Sequence, residues 1–185
     1  MPERKTIFVY GLEGNKSHAK AAGKIFRDKN LVCFEYDSSL RKPIEELAQE
    51  LRKFIDSKIS KNERVNIIGV SAGGIIADYY KKFLAPAKVE KLATICSPFR
   101  GTYITKLYSS KRRGLKELSK DSEFLRKLNS KKSFGETINF YCPLDVLVPG
   151  NSGKGENPVL TKNFFHFLIQ KDKKILKKIK RFMES

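Results

Sequence analysis

The chain has 185 residues, 40% of them apolar and 31% charged, which suits one domain, 1–185, with a single buried core and no second domain. Lys and Arg number 38 against 20 Asp and Glu, a formal net charge of +18, so an anionic partner has to be weighed. No helix-turn-helix, zinc-finger or RNP-type aromatic pattern accompanies that charge, and no specific nucleic-acid reader is expected.

After Met1 the apolar run IFVYGL is too short for a signal h-region or a membrane span and reads instead as a first strand over residues 6–10. The flexible stretch Gly11, Leu12, Glu13, Gly14 ends it. Residues 17–29 read as a helix capped by Ser17, and residues 31–37 as a second strand. Pro43 opens a helix over 43–59, whose Ile44, Leu47, Leu51, Phe54, Ile55 and Ile59 recur at helical spacing. The run VNIIGV at 65–70 reads as a buried strand, and an amphipathic helix follows over 75–84. A further strand covers 89–98 and ends at Pro98.

From about 102 to 136 the sequence turns basic, with helix-like pieces around Leu115 to Leu118 and Ser122 to Leu128. The segments 136–142 and 157–161 return to strand character, and a basic amphipathic helix closes the chain over 171–184. Most of the net charge falls in residues 103–133 and 171–185; a solvated cationic surface accounts for it as readily as a specific role. Strands alternating with helices predict a mostly parallel, doubly wound sheet of about six strands. An insertion at the carboxyl edge of such a sheet would lie over its ligand site. Cys33, Cys96 and Cys142 show no C-x-x-C spacing, so neither a disulfide framework nor a zinc site is expected; buried thiols in a reducing cytoplasm are.

The sharpest signal is Gly69-Val70-Ser71-Ala72-Gly73. A buried strand breaking into small residues and then a helix is the setting of the G-x-S-x-G turn, in which a serine hydroxyl projects from strained backbone while glycines let strand and helix approach. The competing reading is a glycine-rich turn of a nucleotide-binding fold. Neither G-x-G-x-x-G nor G-x-x-x-x-G-K-[ST] is present to support it. A serine hydroxyl needs an imidazole to take its proton and an acid to orient that imidazole. The sequence holds two histidines, His18 and His166. Asp145 follows a strand and stands between Ser71 and His166; Asp78, Asp121 and Asp37 are its rivals, the last at a strand end but before the serine. A turn-forming Asp145 and a capping or core His166 are the alternatives.

Together with GVSAG, three further segments make the chain resemble a small lipase or carboxylesterase of the α/β-hydrolase superfamily. ICSPFRGT is similar to the T-P-H-R-G-S/T stretch of many lipases, LKELSKDSEFLRKLN to their lid-proximal segment, and CPLDVLVP to their acid loop. The resemblance spans nearly the whole chain. It implies a minimal α/β-hydrolase fold with a helical, lid-like insertion at about 102–136, with Ser71 as nucleophile, Asp145 as acid and His166 as base. The chain order Ser, Asp, His fits.

The oxyanion hole would be made by the backbone N–H groups of Leu12 and Ala72. Many lipases carry His-Gly where this chain has Tyr10 and Gly11, two residues placed beside the substrate; His18 falls in the same region, with a surface or capping role as its alternative. The expected activity is hydrolysis of a carboxylic ester or lipid through an acyl-serine, with no cofactor and no metal. A thioesterase or acyltransferase with the same triad, or a non-catalytic membrane-surface module, are the competing functions. The expected location is the cytoplasm or the periphery of a membrane, with an anionic membrane surface as a candidate partner of the two basic stretches. Helical spacing leaves open whether the insertion is a moving lid or a fixed cap.

Overall fold

The computed structural model describes residues 4–26, 30–107, 111–162 and 165–185. Six strands form one sheet: β1 Thr6–Val9, β2 Leu31–Cys33, β3 Val65–Val70, β4 Val89–Ile95, β5 Glu136–Tyr141 and β6 Pro158–Leu160. Their spatial order is β2-β1-β3-β4-β5-β6, and every pairing is parallel. The helices are α1 Lys20–Phe26, α2 Ile44–Asp56, α3 Ala72–Tyr79, α4 Arg113–Glu117, α5 Glu123–Ser130, α6 His166–Ile169 and α7 Lys173–Glu184. Because β1 lies between β2 and β3, the strand order reverses there. That leaves a crevice beyond the carboxyl ends of β1 and β3, where ligands bind in open parallel sheets.

Alternation along the central strands divides the core into two layers. Ile7, Val9, Val65 and Ile67 face α2 and α3, meeting Leu47, Leu51, Ile55 and Ile75. Phe8, Ile68, Val70 and Phe140 face the other way, onto Ala22 and Phe26 of α1 and Leu176 and Ile179 of α7. Covered on both faces, β3 is buried along its whole length, which explains why its sequence is a continuous apolar run rather than an alternating one.

Local differences from the sequence expectation have physical causes. The region read as a helix from Ser17 starts with a 3-10 turn over Lys16–Ala19, capped by the Asn15 side chain rather than by Ser17; residues 27–29 of that expectation lie outside the described residues. The second strand stops at Cys33. Pro43 is the cap before α2 rather than its first residue, and the Ile44 N–H donates to Glu117 of α4 at 2.7 Å. The helix after the serine begins earlier than read, at Ala72, and ends in a wide π turn over Tyr80–Leu84. That turn directs two lysines, Lys81 and Lys82, into the interior.

In the insertion, the greasy sides of α4 and α5 face inwards. Leu115, Leu118, Leu125 and Leu128 are core residues packed with α2 and α3. Backbone bonds from Gly114 N to Leu40 O (3.0 Å) and from Thr102 N to Leu118 O (2.9 Å) fasten the segment, as does the Asn129 side chain on Phe99 O (2.7 Å). The apolar side of α7 is likewise spent on the core, with Ile175, Leu176, Ile179 and Met183 buried and its lysines outward. Among the described residues no helix is long and apolar enough to cross a membrane.

Candidate active site

Ser71 follows β3 with φ 51° and ψ −125°, a left-handed conformation that costs a residue with a side chain about 1–3 kcal/mol. The surrounding backbone holds it there. Ser71 N donates to Ile95 O at 2.8 Å, and Ser71 O accepts from Gly74 N at 3.0 Å. The flanking glycines are needed for contact: a Cβ on Gly73 would lie 2.2 Å from Tyr10 O and 2.3 Å from Val9 O, and one on Gly69 would lie 2.4 Å from the Gly74 Cα. So α3 can start hard against β1 and β3. The loop after β1 closes on the serine as well, since a Cβ on Gly11 would come 2.8 Å from the Ser71 Cβ.

Asp145 lies in the turn after β5, and His166 opens α6 after β6. Both are buried, at 2% and 7% exposure. His166 Nδ1 and Asp145 Oδ2 are 2.6 Å apart, while Asp145 Oδ1 accepts from Leu147 N at 2.8 Å and Val148 N at 3.1 Å. Burial alone would push this carboxyl up. The hydrogen bond and charge attraction with His166 and the two backbone donors outweigh it and hold Asp145 below the usual carboxylate range. An ionised, fully bonded carboxylate fixes the ring so that its other nitrogen, Nε2, can handle a proton.

Ser71 and His166 line one cavity of about 160 Å³. Gly11, Leu12 and Ala72, the residues tied to the expected oxyanion hole, line it too, with Val70, Ile104, Leu115, Leu118, Leu147 and Val148 as apolar wall. The structure thus gathers Ser71, His166, Leu12, Ala72 and Gly11 around one space, with Asp145 behind the histidine. Tyr10 requires a correction. Its ring is buried against Tyr36, with centroids 4.9 Å apart, and its hydroxyl accepts from Tyr36 N; the side chain points from β1 into the sheet layer of α1 and α7 rather than to the cavity. His18 does line the cavity, while its Nδ1 accepts from Asn15 N at 3.0 Å in the cap of the 3-10 turn. Of the rival acids, Asp78 is buried with Lys82 at 2.9 Å and Asp37 is bonded to Ser39 and Arg41.

One neighbour of the pair was not singled out from sequence. Cys96, just past β4, adopts φ 48°, and its Sγ lies within 4.8 Å of the Asp145 and His166 ligand atoms. Burial, then the neighbouring charge of Asp145, push the thiol up, so it stays protonated beside the carboxylate. Only the pairing of β4 with β5, seen in the bond from Cys96 N to Phe140 O, brings residues 96 and 145 together; spacing along the chain carries no such signal. These three side chains are of types that bind metals, but a cation would have to break the 2.6 Å bond between Asp145 and His166. All three cysteines are free, Cys96 and Cys142 buried and Cys33 half-buried.

Comparison of the sequence with protein-family models and with curated proteins gives no match. Solved structures do match. The mature lipase BlEst2 of Bacillus licheniformis superposes with a TM-score of 0.76 over 99% of this chain and 93% of its own, at 15% identity. The esterase EaEST of Exiguobacterium antarcticum gives 0.72 over 98% and 92%, at 12% identity. Phospholipase PlaB of Legionella pneumophila gives 0.64 over 75% of this chain at 16% identity, and the match spans only 37% of that longer protein. The fold of this chain is that of the α/β-hydrolases: one sheet of six parallel strands flanked by helices.

Proposed function

We propose that the chain is a serine hydrolase of carboxylic esters. The observation that carries this reading is the buried His166–Asp145 pair, bonded at 2.6 Å and bordering the same cavity as Ser71 on its strained turn. In the proposed reaction Ser71 Oγ attacks the ester carbonyl carbon as its proton passes to His166 Nε2. The carbonyl oxygen gains the negative charge, which the backbone N–H groups of Leu12 and Ala72 meet. Collapse breaks the bond to the alcohol oxygen, which leaves with the proton from His166. A water molecule then gives a proton to His166, attacks the acyl-serine and releases the acid and the free serine. Asp145 keeps its negative charge throughout and stabilises the imidazolium. The free thiols favour a reducing compartment as the place of action.

The cavity also bears on the substrate. An apolar cavity of about 150 Å³ takes a benzene-sized guest, so this space of about 160 Å³ suits a short to medium acyl group, and longer chains must emerge through its mouth. Chromogenic esters from acetyl to palmitoyl, run beside Ser71→Ala, test both points. Hydrolysis that peaks at short to medium acyl length and vanishes in Ser71→Ala is expected. Activity undiminished in Ser71→Ala, or fluorophosphonate labelling at any other residue, overturns the assignment.

A further inference from the structure

Three segments at the carboxyl edge of the sheet each send one set of residues into the cavity and apolar neighbours out to solvent. Between Thr102 and Ile104, which line the cavity, Tyr103 is exposed, and Leu107 beyond them is 82% exposed. Beside the lining residue Leu147, the buried Asp145 is flanked by Leu144 and Val146, exposed by 64% and 80%. The buried His166 follows Phe165, 66% exposed, and precedes the half-open Leu168. The segments adjoin one another, since the Thr102 hydroxyl donates to Leu147 O and Asp145 bonds His166. Six large apolar side chains therefore stand exposed on segments that border the cavity. Apolar surface on that scale is commonly left open where something docks.

Basic side chains predominate on and beside these segments: Lys106, Lys162 and Lys171 are exposed, whereas Asp145 is buried and bonded to His166, Asp172 caps α7 and Glu13 of the cavity lining is paired with Arg112. We infer that this rim docks on an anionic lipid surface, with Tyr103, Leu107, Leu144, Val146, Phe165 and Leu168 entering the headgroup boundary and the lysines meeting lipid charge. The apolar faces of α4, α5 and α7 are packed in the core, so docking falls to the turn over Tyr103–Leu107 and to the loops that carry the acid and the base. The inference rests on the hydrolase reading only for the identity of what the mouth admits. Docking itself needs no turnover.

The test separates the two by using Ser71→Ala protein, with Cys33 replaced by Ser and an environment-sensitive fluorophore on Val146→Cys, Leu107→Cys or, at the opposite edge before β3, Lys61→Cys. Sedimentation with vesicles of phosphatidylcholine, alone or mixed equally with phosphatidylglycerol, is expected to show binding to the mixture that salt weakens. The probes at 146 and 107 shift to the blue, and that at 61 does not. Val146→Ser and Phe165→Ser should each lower partition into the anionic vesicles about tenfold. In protein that retains Ser71 they should leave hydrolysis of a water-soluble short-chain ester within about twofold. Absence of binding, equal binding to both compositions, or a blue shift at 61 without one at 146 overturns the inference, whatever the ester assay shows.

Discussion

Asp145 is met by three partners: the N–H groups of Leu147 and Val148 and the His166 ring. They hold it ionised, and the base of the proposed triad must be free of its proton to act. The expected kcat/KM therefore falls towards acid with the slope of a single proton, and a flat profile from pH 5 to 8 in the chemical step would exclude a histidine base. Ser71→Ala should cost on the order of 10⁶-fold in kcat, with His166→Ala comparable, and Asp145→Asn about 10⁴-fold through the wrong tautomer.

At the scale of elements, the start of α3 carries the tightest constraint. A methyl on Gly73 would meet the backbone carbonyls of Tyr10 and Val9 at 2.2 and 2.3 Å, and backbone cannot yield as a flexible side chain can. Gly73→Ala should destabilise the chain by roughly 3 kcal/mol in urea unfolding; a loss under about 1 kcal/mol would mean that α3 can slide. This junction was legible in the sequence because a buried strand, a serine among glycines and a helix leave a pattern in consecutive residues. The parallel sheet was legible from strands alternating with helices, and Ser71, Asp145 and His166 could be singled out as candidates because each stands beyond a strand and parallel strands present those ends at one edge. What the sequence hid depends on contacts between distant segments. The inward turn of Lys81 and Lys82 needs the π turn at Tyr80–Leu84, and the approach of Cys96 to Asp145 needs β4 beside β5. Leu115 and Leu128 have the same spacing whether they face lipid or core, so only the packed structure shows that they lie in the core.

Over the whole molecule, two effects of charge should appear in stability. Lys81 bonds Glu136 O and Thr137 Oγ1, both at 2.8 Å, and burial brings its pKa down to about 8. The folded chain then binds fewer protons than the unfolded one between that value and the ordinary lysine range, so this group's contribution to stability rises with pH across the interval. The difference in unfolding free energy between the native chain and Lys81→Met should grow from pH 7.5 to 10, and a constant difference would refute the shift. The second effect is self-repulsion. A net charge of +18 works against the compact state, whereas the surface ion pairs, such as Arg64–Glu90 at 2.8 Å and Lys180–Glu184 at 3.5 Å, are worth only about 0–1 kcal/mol each. Salt screens both, but the repulsion acts over longer distances and among more partners. Raising sodium chloride from about 10 mM to about 0.3 M shortens the screening length severalfold, so Tm should rise, by about 3 °C for each 1 kcal/mol regained in a chain of this size. Chloride is the anion to use, since sulfate strengthens apolar burial whatever the charge. Lys177 and Lys178 stand on the exposed side of α7, and replacing both by Glu removes charge without touching the core. That variant should respond less to salt than the native chain; an equal response would trace the effect to something other than the excess of lysine.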